Sequence, residues 1–207
     1  MKKLFILFAV ILFVSGCTNT VVPAQDVPVP TPTPVVSAPV VLPSTQIYNN
    51  GTYNFEFTYP VEFVFANPVY TNFENQIVQI NLPKSAYPST NFGDAAFAVG
   101  SVYTKTLPEC LKIGSDKFGE NFDAKNSVVI NGATFYKASA SDAGMGNLYE
   151  SRGFLTYHDS NCFEIVEMLH STRIENYPEN TVKEIDKALI WQRLDDILNT
   201  FKFISNP

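Results

Sequence analysis

Between residues 53 and 59 apolar and polar side chains alternate: Tyr53, Phe55, Phe57 and Tyr59 against Asn54, Glu56 and Thr58. A period of two predicts a half-buried strand over 52–60, closed by Pro60 and preceded by a turn at Asn49-Asn50-Gly51. Val78, Ile80 and Leu82 repeat the alternation and stop at Pro83; residues 95–103 are small and apolar and predict a buried strand. Residues 107–118 predict a short helix carrying Cys110. Asn131-Gly132 between the apolar runs 127–130 and 134–138 is a strong hairpin signal, and 148–157 and 162–170 predict a second hairpin about His158-Asp159-Ser160-Asn161. The period then lengthens. Ile185, Leu189, Leu194, Ile197 and Leu198 predict an amphipathic helix over about 182–199. Phe201, Phe203 and Ile204 end the chain as a short strand or a packed tail. Strands joined by hairpins, with one long late helix, predict a single α+β domain built on an antiparallel sheet.

The first residues follow a different rule. Lys2 and Lys3 precede an unbroken apolar run from Leu4 to Val14. Eleven residues are too few to span a bilayer, which takes about twenty, and suit the apolar core of a signal peptide. Val14-Ser15-Gly16-Cys17 follows, and it resembles the lipobox of bacterial lipoproteins. The resemblance implies a signal peptide over 1–16 and a diacylglyceryl group on the Cys17 thiol. The alternative is an ordinary secretory signal with an incidental cysteine. With the anchor, the chain is expected on a bacterial cell membrane or outer membrane, its domain on the extracytoplasmic side. Thr18, in place of the aspartate that favours inner-membrane retention in that family, does not select between the two.

Residues 17–46 form the next unit. Pro23, Pro28, Pro30, Pro32, Pro34, Pro39 and Pro43 lie here with a single charge, Asp26. Proline fixes φ and removes a backbone donor, so this stretch favours an extended polyproline II spacer. At about 3.1 Å per residue it reaches roughly 90 Å when extended. It reads as a semi-rigid stalk or as a linker with no reach requirement.

The domain over 47–207 carries a second resemblance. The aromatic strand from Tyr48 to Pro60 resembles the opening of bacterial PsbP-like domains, and the end Asp196-Ile197-Leu198-Asn199-Thr200-Phe201-Lys202-Phe203 resembles their closing helix with its Leu-x-Thr-Phe-Lys-Phe tail. That resemblance implies a central antiparallel sheet flanked by helices, and a non-catalytic binding or scaffold role with no shared active site. No cofactor is expected.

The chain has 207 residues, 16% charged and 14% aromatic, with a formal net charge of -6. That excludes disorder throughout, and the acidic balance argues against nucleic-acid binding. Losing Lys2 and Lys3 leaves twelve basic against twenty acidic residues, a net charge of -8, which anionic headgroups repel. Cys110 and Cys162 in an exported domain are expected to form a disulfide, the alternative being two buried thiols; their spacing is not that of a redox Cys-x-x-Cys pair. His158 sits in a polar turn and His170 at a strand end, and two histidines with three cysteines leave little for a metal site. Glu109, Asp116, Glu120 and Asp123 lack calcium-loop spacing and read as a solvated face. Tyr70, Phe73 and Tyr87 are candidate exposed contact residues, and the stretch from Ser141 to Asn147 reads as a long hairpin connection or a binding loop. No phosphate loop, nucleophile elbow or zinc-protease motif occurs. The expected role is a membrane-anchored binding module for an envelope protein or ligand. The alternatives are an envelope hydrolase using acidic residues and His170, or a structural envelope protein.

Overall fold

The computed structural model describes residues 44–204. The predicted signal peptide, Cys17 and nearly all of the spacer lie outside the described residues. Ten strands and two α-helices are present among those described.

Strand β1 (Thr45–Asn50) pairs with β2 (Phe55–Pro60), and β10 (Lys202–Phe203) pairs with the other edge of β2. A seven-stranded antiparallel sheet runs in the order β3-β4-β5-β9-β8-β7-β6. Its strands are β3 (Val64–Phe65), β4 (Asn75–Leu82), β5 (Phe92–Tyr103), β6 (Ser127–Ile130), β7 (Ala133–Gly144), β8 (Asn147–His158) and β9 (Asn161–Thr172). Helix α1 is Leu107–Phe118 and helix α2 is Lys187–Leu198.

Alternation along β9 divides the molecule. Phe163, Ile165 and Leu169 point to one face and join a core with Phe55, Phe57, Phe97, Phe201 and the buried residues of α2. Cys162 points to the opposite face and packs with Cys110 of α1, Leu155, Phe73 and Phe122. The sheet is therefore covered by α2 and the three-stranded sheet on one side and by α1 on the other. This amends the expected arrangement of one sheet flanked by helices, because β1, β2 and β10 form a second sheet of their own.

Local chemistry fixes α1. Thr106 caps it by accepting from the Glu109 N–H, proline stands in its first turn, and Gly119 ends it at φ 79°. Gly114 lets it settle on β8, since a Cβ there would lie 2.0 Å from Leu155 Cδ1.

Several boundaries differ from the sequence reading. β1 begins at Thr45, inside the stretch assigned to the spacer, and β2 starts only at Phe55, because Tyr53 lies in the connecting turn. The late helix starts at Lys187; Ile185 is buried ahead of it, and Ile190, not Leu189, completes its buried face. The Ser141–Asn147 stretch is neither a long connection nor a loop. Pairing continues to Gly144↔Asn147, so only Met145 and Gly146 turn, both with positive φ (52° and 81°). Among the described residues no helix is long and apolar enough to cross a membrane.

Candidate functional site

Cys110 and Cys162 are joined as a disulfide, with Cα atoms 5.2 Å apart and both residues fully buried. Cys162 is the second residue of β9, the central strand of the sheet, and Cys110 lies in the first turn and a half of α1 above it. The bond staples the helix to the sheet and has no access to solvent, which suits a structural role.

His170 is held by its neighbours. Its Nδ1 lies 3.0 Å from Asp94 Oδ1 and its Nε2 lies 3.0 Å from Asn147 Oδ1. Its ring stacks on Tyr149 at 4.6 Å and packs over Gly93, where a Cβ would approach to 2.4 Å. Both nitrogens are engaged, and His170 lines none of the cavities described below. The pairing of His170 with a carboxylate, Asp94, does occur. Burial and the adjacent Asp94 push the Tyr70 hydroxyl up to about 12. His158 is not simply a solvated turn residue, because its ring stacks on Phe203 at 3.9 Å.

The three aromatic residues expected as exposed contacts are not. Phe73 is buried beside the disulfide, and Tyr70 and Tyr87 are half-buried. Glu109, Asp116, Glu120 and Asp123 are exposed, as a solvated face requires. Among the described residues no three His, Cys, Asp or Glu side chains group to hold a metal ion.

Two buried glutamates on β9 escaped the sequence reading. They point to opposite faces. Glu164 accepts from the Asn72 N–H at 2.7 Å and from Asn72 Nδ2 at 3.0 Å, so it pins the 66–74 segment to the sheet, while burial raises its pKa. Glu167 has no hydrogen-bond partner on either oxygen. Arg152 Nη1 is 3.7 Å away, beyond hydrogen-bond reach, and the same nitrogen lies 3.2 Å from both oxygens of Asp195 on α2. The Arg152 guanidinium also lies 4.0 Å over the Trp191 ring. Burial, with the Asp195 charge adding to it, lifts the Glu167 carboxyl to about 8. Arg152 and Asp195 line a cavity of about 410 Å³ with Lys137, Phe154 and Leu198.

A second cavity, about 460 Å³, opens where the large sheet comes apart. The β7–β8 ladder runs from Gly144↔Asn147 to Tyr136↔Leu155 and stops there, although β8 continues to His158 along β9 and β7 begins at Ala133 along β6. In that register Phe135 would next face Thr156, and the next pair to exchange hydrogen bonds would be Thr134 with Tyr157. Alternation decides where their backbone groups point. The Lys137 N–H donates to the Asn126 carbonyl, on the β6 side, so Tyr136 and Thr134 direct theirs toward β8. The His158↔Asn161 pair closes the two-residue β8–β9 turn, so Tyr157 directs its own toward β7. On their other sides Thr134 faces Val129 and Tyr157 faces Cys162 at positions where an antiparallel ladder exchanges no bonds, so neither directs its backbone groups to those strands.

The separation has a cause in the sequence. Asn131 and Gly132 form the β6–β7 turn with φ of 46° and 86°. The Asn131 side chain donates to the Asn199 and Phe201 carbonyls, each at 2.9 Å, and Phe135 packs edge-on to Phe201 at 5.8 Å. These contacts tie the start of β7 to the α2–β10 connection and away from β8. Tyr136, Tyr157, His158, Phe203, Leu107 and Thr134 line the resulting seam, with the Tyr157 hydroxyl donating to the Lys105 carbonyl at 2.8 Å. No Lys, Arg, Asp or Glu lines it.

No protein-family model and no curated protein matches the chain. Solved structures do. A Bacteroides thetaiotaomicron protein is similar over 77% of this chain at 10% identity and a TM-score of 0.46, and the chain spans about half (48%) of its length. Cyanobacterial PsbP from Synechocystis is similar over 81% of this chain and 96% of its own, at 14% identity and a TM-score of 0.42. LpqN of Mycobacterium tuberculosis, described as involved in cell envelope biogenesis, is similar over 78% and 91%, at 8% identity and a TM-score of 0.44. At these identities the likenesses concern the chain trace alone, and no residue or activity is carried over from them.

Proposed function

We propose that this chain is a lipid-anchored, extracytoplasmic binding module of a bacterial envelope, held at the membrane through Cys17 and carried outward on its Pro-rich spacer. The observation that carries this reading is the Cys110–Cys162 disulfide, buried in the core between α1 and the central strand. Such bonds persist in oxidising compartments and are rare in a reducing cytosol. The apolar run ending at Gly16-Cys17 supports export by an independent route. The domain's offering to a partner is surface and cavity. Its best candidate for a base, His170, is held on both nitrogens against Asp94 and Asn147, which supports a binding role over the hydrolase reading.

Crosslinking in intact cells, followed by recovery of the chain under denaturing conditions, tests this. The expected result is a recurrent envelope partner, retained in a His170→Ala variant. Repeated recovery of the chain alone, or cleavage of envelope material that disappears with His170→Ala, would overturn the reading.

A further inference from the structure

We infer that the seam between β7 and β8 is a strand-insertion site for an extended, uncharged peptide segment of a partner protein. The inference rests on the binding-module reading above and names the place and chemistry of its contact. The seam leaves four backbone groups facing one another: the N–H and C=O of Thr134 and the N–H and C=O of Tyr157. A peptide is the ligand whose own repeat matches them. Because β7 and β8 run antiparallel, an inserted strand lies antiparallel to one and parallel to the other: one of its residues exchanges both bonds with Thr134, and the residues on either side of it, whose N–H and C=O face the other way, meet the C=O and N–H of Tyr157. Their side chains then alternate between the two faces of the sheet. One side meets Tyr136, Tyr157 and Leu107, and the other meets the stacked His158–Phe203 pair. A volume of about 460 Å³ lies within the range of ligand pockets, and the absence of Lys, Arg, Asp and Glu from its walls selects an uncharged occupant. The free outer edge of β1 offers backbone groups too, but to open solvent and without enclosing walls.

The full chain in detergent, panned against a phage-displayed library of random heptapeptides, provides the test. Selected peptides are expected to be uncharged and rich in β-branched or aromatic residues. In amide NMR, the Thr134 and Tyr157 signals of the free protein should exchange with solvent at least tenfold faster than those of Tyr136 and Leu155. Bound peptide should shift and protect both. Thr134→Pro deletes an N–H that pairing with β6 does not use, and should weaken binding at least tenfold while leaving the fold intact. N-methylation of the peptide at each amide in turn gives the same answer on the unaltered protein, with at least tenfold loss at one or two positions only. Enrichment of no sequence, peptides that leave the Thr134 and Tyr157 amides unmoved, or tight binding of every N-methylated form would overturn the inference. A partner recovered by crosslinking that does not perturb these two amides keeps the binding-module reading and overturns the seam alone.

Discussion

Glu167 faces the α2 side of the central strand with neither carboxylate oxygen hydrogen-bonded, and its carboxyl is lifted to about 8. The folded protein therefore keeps a proton on this group over a pH range in which the unfolded chain, with an ordinary carboxyl near 4.5, has lost it. Folded binding of the extra proton means that stability is full below about pH 4.5 and falls as pH rises toward 8. Glu167→Gln is expected to remove that slope and to exceed the natural protein in stability by about 1–3 kcal/mol at pH 8.5. Denaturant melts of both proteins at pH 5.5 and 8.5 check it, and parallel pH profiles would refute it. The sequence did not announce this residue. Phe163-Glu164-Ile165-Val166-Glu167-Met168 reads as a central strand from its apolar members, and the run is indeed central. Which glutamate is satisfied depends on a loop ninety residues upstream, where Asn72 reaches Glu164, and on the helix that brings Asp195 to Arg152 ahead of Glu167.

At the scale of elements, the stapling of α1 to β9 makes the clearest prediction. The disulfide joins residues 52 apart in sequence, a loop whose closure is worth about 4 kcal/mol by chain entropy. Replacing both cysteines by alanine should lower unfolding stability by roughly 2–4 kcal/mol and leave the far-ultraviolet circular dichroism spectrum unchanged, because a separate aromatic core holds α2 and the second sheet to the other face. Two freely alkylatable thiols in protein taken from cells without reductant would contradict the pairing itself. Helix α1 was legible to the residue because its signals are local: Thr106, the early proline and Gly119 each act within one turn. The hairpin turns at Asn131-Gly132 and Asp159-Ser160 were legible for the same reason. The tight turn at Met145-Gly146 was not. Ser141-Asp142-Ala143-Gly144 carries loop-like residues, and it is strand because Glu150, Tyr149 and Leu148 pair with it at the turn end of a hairpin of two twelve-residue strands.

For the whole molecule the proposed anchor at Cys17 would decide where everything else operates. Changing Cys17 to Ser removes the thiol that would accept the lipid, so labelling by a fatty-acid analogue should vanish and the precursor should remain uncut or be released. A Cys17→Ser protein that still takes the label would refute the anchor. The apolar run Leu4–Val14, the Pro-rich stretch and a strand-dominated domain are written in runs of composition and short periods, and such features act within a few residues of themselves, so the sequence alone determined them. The same holds for the identity of the two cysteines and for most strands and both helices. Tertiary structure decided what those elements meet. β1, β2 and β10 separate into their own sheet because Phe55 and Phe57 find Phe201 and Phe97 across the core, contacts that no local pattern encodes. Helix α1 is placed over Cys162 because Gly114 admits Leu155. The β7–β8 seam exists because Asn131 is bound to carbonyls seventy residues away, which draws one strand from the other against the pairing its own sequence would continue.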